Sequence, residues 1–357
     1  MAGCDIHSVY TGIAGSHVRS LNSHGIVAIR DKEVSAGDVD RVIDAARAVA
    51  IPADQKILHI LPQEFIIDNQ EGIHEPIGMS GVRLEARVHM VTGAESAAQN
   101  IVKCVERCGL TVEDVVLEQL ASSFAVLTED EKELGVCLVD IGGGTTDIAV
   151  FEDGTIRHTA VIAVAGNKVT DDIRKGLGVM RDQAEALKCR FGNAVVDLID
   201  EDDEIRIPGI GGRPAKGISR STLAQIIQPR IEEILEIAAI EIKRSGYARH
   251  LAAGAVLTGG GSLIPGTAVL GAEILGMETR VGLPTGLGGG LVEEVSDPKF
   301  STAVGLVLYG LQPEVIGGNP FISDMGDRAA VPRPMVPAGP SLVTKIADRM
   351  KGWFDEL

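Results

Sequence analysis

Val139-Asp-Ile-Gly-Gly-Gly-Thr-Thr-Asp147 has the residue types of a phosphate cradle. Three glycines let backbone amides approach an anion without a Cβ in the way. Thr145 and Thr146 add hydroxyl donors. The apolar run Val136-Cys-Leu-Val139 delivers Asp140 to the start of this turn, where a carboxylate would hold a magnesium ion through its waters. A second apolar run, Val256-Leu-Thr258, enters another glycine turn, Gly259-Gly-Gly-Ser262, about 115 residues further on. The pair predicts two similar halves whose turns face each other across one cleft and grip a triphosphate.

Other signatures fail. Gly212 and Gly217 have the spacing of a P-loop, but Ile218 stands where that loop needs Lys. No Gly-x-Gly-x-x-Gly follows a strand, and there is no Gly-x-Ser-x-Gly elbow. Gly286–Gly290 has no strand feeding it and reads as a loop. The eight histidines are scattered. Cys4, Cys104, Cys108, Cys137 and Cys189 show neither zinc nor disulfide spacing and are expected to be reduced and buried. Asp200-Glu-Asp-Asp-Glu204 reads as a solvated hairpin tip. A formal charge of −17 repels phosphodiester backbones, so nucleic acid is not an expected partner. No apolar stretch is long enough for a spanning helix, and the opening residues lack the pattern of a secretory signal.

The elements that must position these residues alternate. Ser8–Ala14, Gly25–Arg30, Lys56–Leu61 and Val115–Leu117 read as strands, as does Gly135–Asp140 with Asp147–Phe151 as its hairpin partner. Asp38–Ala50 and Glu95–Cys108 read as helices, the latter ended by Gly109. Arg83–Val91 alternates, with Leu84, Ala86, Val88 and Met90 on one side and Arg83, Glu85, Arg87 and His89 on the other. A helix begins near Glu118, and Asp171–Gly178 and Gln183–Phe191 are helical. Asp197–Pro208 reads as a strand hairpin. Ser221 is the expected cap of a long helix to Ser245, kinked at Pro229. Ala253–Thr258 is a strand and Ser301–Tyr309 a helix.

These residues resemble the actin/Hsp70/sugar-kinase superfamily and, within it, the FtsA family of bacterial cell-division proteins. The resemblance runs from Ser8 to about Gly310. It is carried by Leu61-Pro-Gln-Glu-Phe65, Gly81-Val-Arg83, Glu106-Arg-Cys-Gly109, Leu127-Thr-Glu-Asp-Glu131, the phosphate turn, Ala165-Gly-Asn167, Gly211-Gly-Arg-Pro214 and Ser301-Thr-Ala-Val-Gly305. It implies an α/β, actin-like two-lobe fold with an inserted small α+β subdomain. Residues 1–13 would be a remnant of the first lobe, 14–94 the inserted subdomain, 95–137 the rest of that lobe and 138–311 the second lobe. The family's opening hairpin, with its first phosphate loop, is expected to be missing, so the fold is read as N-terminally truncated, either through a start assigned late or through a real truncation.

The resemblance implies ATP and Mg2+ as ligands. Asp140, Gly142, Gly143, Gly144, Thr145 and Thr146 match the second phosphate motif, with Asp140 as the metal residue. Gly166 and Asn167 match a backbone phosphate contact, and Glu185 and Lys188 the pair that holds the ribose. Gly259, Gly260, Gly261 and Ser262 match the adenosine turn, and Glu118 lies where relatives position the attacking water. It further implies polymerisation and binding of the tail of the tubulin-like FtsZ, for which the basic cluster Arg213, Lys216 and Arg220 is the candidate. Other division proteins and the inner face of the cytoplasmic membrane at the septum complete the implied partners. At most a weak ATPase is expected. The rival on the same fold is a chaperone or a small-molecule kinase, but no catalytic Asp for a kinase and no peptide-binding domain can be named.

The end of the chain favours the membrane. Residues 313–340 hold six of the fifteen prolines and read as a disordered linker spanning 312–340. Beyond it, Leu342, Val343, Ile346, Met350, Trp353, Phe354 and Leu357 fall on one face of a helix over 341–357, which holds the only Trp. A bilayer interface suits that face. Lys345, Arg349 and Lys351 are balanced by Asp348, Asp355 and Glu356, so attraction to anionic lipid, at ~1 kcal/mol per uncompensated base, is small. Stable attachment is therefore expected to need several linked copies.

Overall fold

The computed structural model describes residues 5–199, 204–207, 215–290 and 292–312. Strand β1 (Ser8–Ile13) pairs in parallel with a strand a hundred residues later, and the module between them folds on its own sheet. That module holds β2 (Arg19–Ala28), α1 (Ala36–Arg47), β3 (Gln55–Ile67), β4 (Gln70–Ile73) and β5 (Arg83–Ala94), with strand order β2-β5-β3-β4. Leu84, Ala86, Val88 and Met90 of β5 are fully buried, as their alternation requires. Most of that face lies under Val42 and Ala46 of α1. Gly25 of β2 permits the contact, since a Cβ there would lie 2.1 Å from the Val42 carbonyl oxygen. A Ser35–Asp38 capping box starts α1 two residues before the expected boundary.

The opposite face of β5 is not uniformly wet. Arg83 and Arg87 pair with carboxylates at the surface, but His89 is buried because that end of the sheet docks on another body.

Helix α2 (Glu95–Arg107) ends at Gly109, whose φ of 78° suits glycine. Strand β6 (Thr111–Leu117), the partner of β1, runs directly into α3 (Glu118–Val126). A short helix α4 (Glu129–Leu134), absent from the sequence reading, is fixed by a Thr128–Glu131 capping box.

A five-stranded sheet forms the second body. Strand β7 (Val136–Ile141) pairs with β8 (Thr146–Glu152), and β8 with β9 (Thr155–Ile162), both antiparallel. Helices α5 (Gly166–Leu177) and α6 (Arg181–Phe191) follow. Next come β10 (Glu204–Ile207), β11 (Lys216–Ser219) and α7 (Arg220–Arg244). Strand β12 (Ala255–Thr258) joins β7 in parallel; after α8 (Thr267–Leu275), β13 (Thr279–Val281) closes the order β13-β12-β7-β8-β9. Helix α9 (Ser301–Gly310) ends the described chain. Every residue of β7 is buried, as its central place demands. Cys137, Val139 and Ile141 enter the core under α5 and α7. By the two-residue period Asp140 lies on the other face, against α3 and α9.

Several expectations change. Among the described residues between 197 and 208 the strand is Glu204–Ile207, and it pairs with Lys216–Ser219. Ser219, not Ser221, caps α7 by accepting from the Thr222 amide. As expected, the helix runs on past Pro229: the stripe Leu223, Ile227, Ile231, Ile234 and Leu235 is fully buried and outweighs a penalty of about 3 kcal/mol. Only Cys137 is buried; Cys104, Cys108 and Cys189 are exposed, since they fall on the solvent sides of α2 and α6, and Cys4 lies outside the described residues. No helix among the described residues is long and apolar enough to cross a membrane.

Candidate functional site

The site grows from the ends of two neighbouring strands. Asp140 of β7 and Thr258 of β12 are register partners, so the two glycine turns emerge side by side from one sheet. This corrects the expectation of two similar halves facing across a cleft. The turns touch: a Cβ on Gly259 would lie 2.3 Å from Asp140 Oδ1, and one on Gly261 2.3 Å from Ile141 Cγ2. Gly259 also has a φ of 79°. Glycine is therefore required there for both space and backbone conformation.

In the first turn, the Gly142 amide donates to the Thr145 carbonyl at 3.0 Å. Gly143 and Gly144 are exposed, and none of the three glycines has a positive φ. Their value is openness, since Gly144 has nothing within 4 Å of a would-be Cβ. The amides of Gly143, Gly144 and Thr145 have no backbone partner among the described residues outside helices and strands, which leaves three donors at the mouth of the turn. The Thr145 hydroxyl bonds Asp147 Oδ2 at 2.8 Å and the Thr146 hydroxyl the Val164 carbonyl at 2.8 Å. Both side chains hold the turn's shape.

Helix α5 abuts the turn by its N-terminus. The Gly166 amide donates to Gly142 O at 3.0 Å and the Asn167 amide to Gly143 O at 2.8 Å. These two amides, expected to meet phosphate, are engaged with the turn itself. Asn167 Oδ1 accepts from Arg181 at 3.2 Å, which adds a cation beside the turn. Glu185 and Lys188 of α6 pair at 2.9 Å, and Lys188 Nζ also donates to Thr170 Oγ1 at 3.0 Å and Gly166 O at 3.2 Å. Glu185 accepts from the Thr170 hydroxyl as well. Burial works against its charge, but the Thr170 and Lys188 bonds hold the carboxyl below its ordinary range. Ser262 is buried and its hydroxyl bonds Gly259 O at 2.8 Å, so it braces the second turn; Gly260 is exposed.

Three acids lie near enough to feel one another's charge. Burial pushes Asp140 up, against the pull of the Ser122 and Thr302 hydroxyls. Burial, then the Asp140 charge, pushes Glu118 up. Burial and the charges of Asp140 and Glu118 raise Asp147 to about 7, against the Thr145 hydroxyl bond. Asp147 Oδ1 and Gln119 Oε1 are buried acceptors with no partner. Acidic side chains and orphaned acceptors suit a hydrated divalent cation. No three acidic, His or Cys side chains close on one point among the described residues, so such an ion would keep most of its waters.

Asp147, Gln119, Ser122, Thr170 and Thr302 went unassigned in the sequence. Asp147 closes the phosphate motif and was visible there. The others carry no local signal, since they come from different elements. Of the basic cluster, Lys216 is exposed on β11, Arg220 Nε donates to Phe191 O at 3.1 Å, and Arg213 lies outside the described residues. So do Leu342, Val343, Ile346, Met350, Trp353, Phe354 and Leu357.

Fold and site define an actin-like protein. The PilM-PilN type IV pilus biogenesis complex superposes at a TM-score of 0.58 and 16% identity, over 86% of this chain and 80% of that one. MreB5 of Spiroplasma citri bound to ADP superposes at 0.50 and 22% identity, over 62% of this chain and 65% of that one. The chain belongs to the FtsA family of cell-division proteins. Residues 137–305 match the family "Cell division protein FtsA", and 15–92 match the "SHS2 domain inserted in FTSA". Cell division protein FtsA of Pseudomonas aeruginosa is 53% identical over 353 residues, 99% of this chain and 82% of the relative. The Escherichia coli K12 protein of the same name is 45% identical over 324 residues, 89% of this chain and 77% of the relative.

Proposed function

We propose that this chain binds ATP with Mg2+ at the paired glycine turns and works as a polymerising tether between the FtsZ ring and the cytoplasmic membrane. The observation that carries the reading is the placing of the amides of Gly143, Gly144 and Thr145, which have no backbone partner among the described residues outside helices and strands, beside the acids Glu118, Asp140 and Asp147. The amides would receive a phosphate, while the acids would take the cation's waters. Mg2+, when bound, would neutralise phosphate charge. Gly259–Ser262 would receive the nucleoside end, and Glu185 and Lys188 the ribose. Glu118, at the first position of α3 and with its carboxyl pushed up by burial, would orient a water. Family membership supports this reading, and the related actin-like MreB5 carries ADP.

Tethering rests on the rest of the chain. Arg213, Lys216 and Arg220 would receive the acidic FtsZ tail. The face formed by Leu342, Val343, Ile346, Met350, Trp353, Phe354 and Leu357 would lie in the bilayer interface at the septum. With three bases balanced by three acids over 341–357, polymerisation would supply the avidity that one helix lacks.

The test titrates a fluorescent ATP analogue against the full chain in Mg2+ and in EDTA. Saturable binding that needs Mg2+ and weakens at least tenfold in Asp140→Asn is expected. Equal binding in both buffers by both proteins would refute the nucleotide reading. Sedimentation with anionic liposomes, with and without residues 341–357, tests the tether; equal pelleting sinks it.

A further inference from the structure

We propose that Ser122 and Thr302 are positioning residues for Asp140, clasping its carboxylate between two helices that cross at fixed separation. The proposal rests on the nucleotide reading above for its consequence, but its geometry stands apart from it. Ser122 Oγ lies 2.6 Å from Asp140 Oδ2 and 2.9 Å from Thr302 Oγ1, and Thr302 Oγ1 lies 3.4 Å from the same carboxylate oxygen. Each hydroxyl has one proton. The short Ser122 contact takes Ser122's, so Thr302 donates to Ser122 Oγ and leans toward Asp140. The result is a one-way chain, Thr302 to Ser122 to Asp140, ending on a carboxylate that only accepts. Charge-assisted ends make such a chain stronger than its neutral members.

The three residues come from separate places in the sequence: α3, β7 and α9. What fixes them is backbone contact. Gly305 of α9 packs on Ala121 of α3 so closely that a Cβ would lie 1.9 Å from the Ala121 carbonyl oxygen. Ala121 immediately precedes Ser122, and Gly305 is three residues, about one turn, beyond Thr302. The start of α9 is pinned a second time, because Ser301 Oγ lies 2.6 Å from Thr258 Oγ1 at the end of β12, which in turn bonds Gly282 O. Ser122 and Ser301 are buried. Two anchors one turn apart leave the Thr302 hydroxyl little freedom. Asp140 Oδ2 is thereby held on the helices, while Oδ1 sits in the space that Gly259 leaves open. The clasp sets which carboxylate oxygen remains available at the turns.

The test compares Thr302→Val, which keeps shape and removes the hydroxyl, with Thr302→Ser, which keeps the hydroxyl. Ser122→Ala and the double variant complete the set. Expected are a loss of Mg2+-dependent ATP affinity of about tenfold in Thr302→Val and in Ser122→Ala, near-normal affinity in Thr302→Ser, and unchanged weak binding in EDTA. The double variant should lose little more than either single one, since the chain acts as a unit. A fall shared equally by Val and Ser variants, or equal in Mg2+ and EDTA, would mark a merely structural role and overturn the proposal. If the wild-type chain binds no nucleotide, the nucleotide reading fails by itself. The clasp is then judged by melting of the nucleotide-free protein in the cycle Asp140→Asn, Thr302→Val and their combination. Non-additive shifts uphold it, and additive ones overturn it.

Discussion

Asp147 shows how one residue can carry opposite demands. Its carboxyl is raised to about 7 by burial and by Asp140 and Glu118, and one oxygen has no partner. A raised folded-state value means the folded protein binds the extra proton between the ordinary carboxyl range and about pH 7. Stability from this group is therefore greatest at low pH and is lost as pH rises through 7. Replacing Asp147 by Asn should raise the melting temperature of the nucleotide-free protein more at pH 8 than at pH 5. It should also weaken Mg2+-dependent ATP binding. A gain that is the same at both pH values would contradict this assignment. Gly259 and Gly260 offer a sharper contrast. Gly259→Ala forces a side chain into a φ of 79° and onto Asp140, and should destabilise by about 2 kcal/mol or more in chemical denaturation. Gly260→Ala, one residue on with only Lys299 Cβ at 3.9 Å, should stay within about 0.5 kcal/mol.

At the scale of elements, α3 and α9 meet backbone to backbone at Gly305. A Cβ at Gly305 would lie 1.9 Å from Ala121 O and 2.4 Å from its carbonyl carbon, both rigid backbone atoms. Gly305→Ala should therefore part the helices and destabilise by about 3 kcal/mol, read as a lower denaturation midpoint. The same substitution at Gly144, where nothing lies within 4 Å, should leave the fold's stability nearly unchanged. Most element types were legible in the chain. The alternation at Leu84, Ala86, Val88 and Met90 and the stripe of α7 state their period outright. Helix α4 and strand β9 were missed: α4 is too short to show a period, and β9 has a broken register against β8. His89 takes the face that its alternation states, but its burial was not legible, because alternation tells which face a residue takes and not what covers that face.

For the whole molecule, the docking of the inserted module on β9 is expected to set acid stability. Gln63 Nε2 donates to Ile156 O at 3.0 Å and to Arg157 O at 3.3 Å, and Ser20 Oγ to Thr159 O at 2.8 Å. These side chains cover carbonyls of an edge strand that would otherwise invite pairing. His89 bridges the seam, with Nδ1 2.7 Å from Asn22 Oδ1 and Nε2 2.9 Å from Thr159 Oγ1. Burial, aided by nearby His158, lowers it to about 3. His59, whose Nε2 accepts from the Leu117 amide at 3.0 Å, is lowered by burial to about 4, against the pull of Asp114. A lowered histidine binds its proton later than the unfolded chain does, so the stability it contributes is present above pH 6.5 and drains away as pH falls toward 4 and 3. Replacing His89 by Gln should flatten the stability curve between pH 6.5 and 4 in equilibrium unfolding. A parallel curve would mean the seam does not limit acid stability.

The sequence by itself determined the two glycine turns, the acid that precedes the first, and the family, because these are local patterns in which a strand must hand over to a tight bend. Only the tertiary structure decided that the turns are neighbours on one sheet. Only it showed that the Gly166 and Asn167 amides are already engaged, and that Ser122 and Thr302 hold Asp140. The physical reason is range. Periodicity and turn chemistry act over a few residues, whereas a hydroxyl clasp spanning 180 positions exists only once packing brings α3 and α9 to the end of β7.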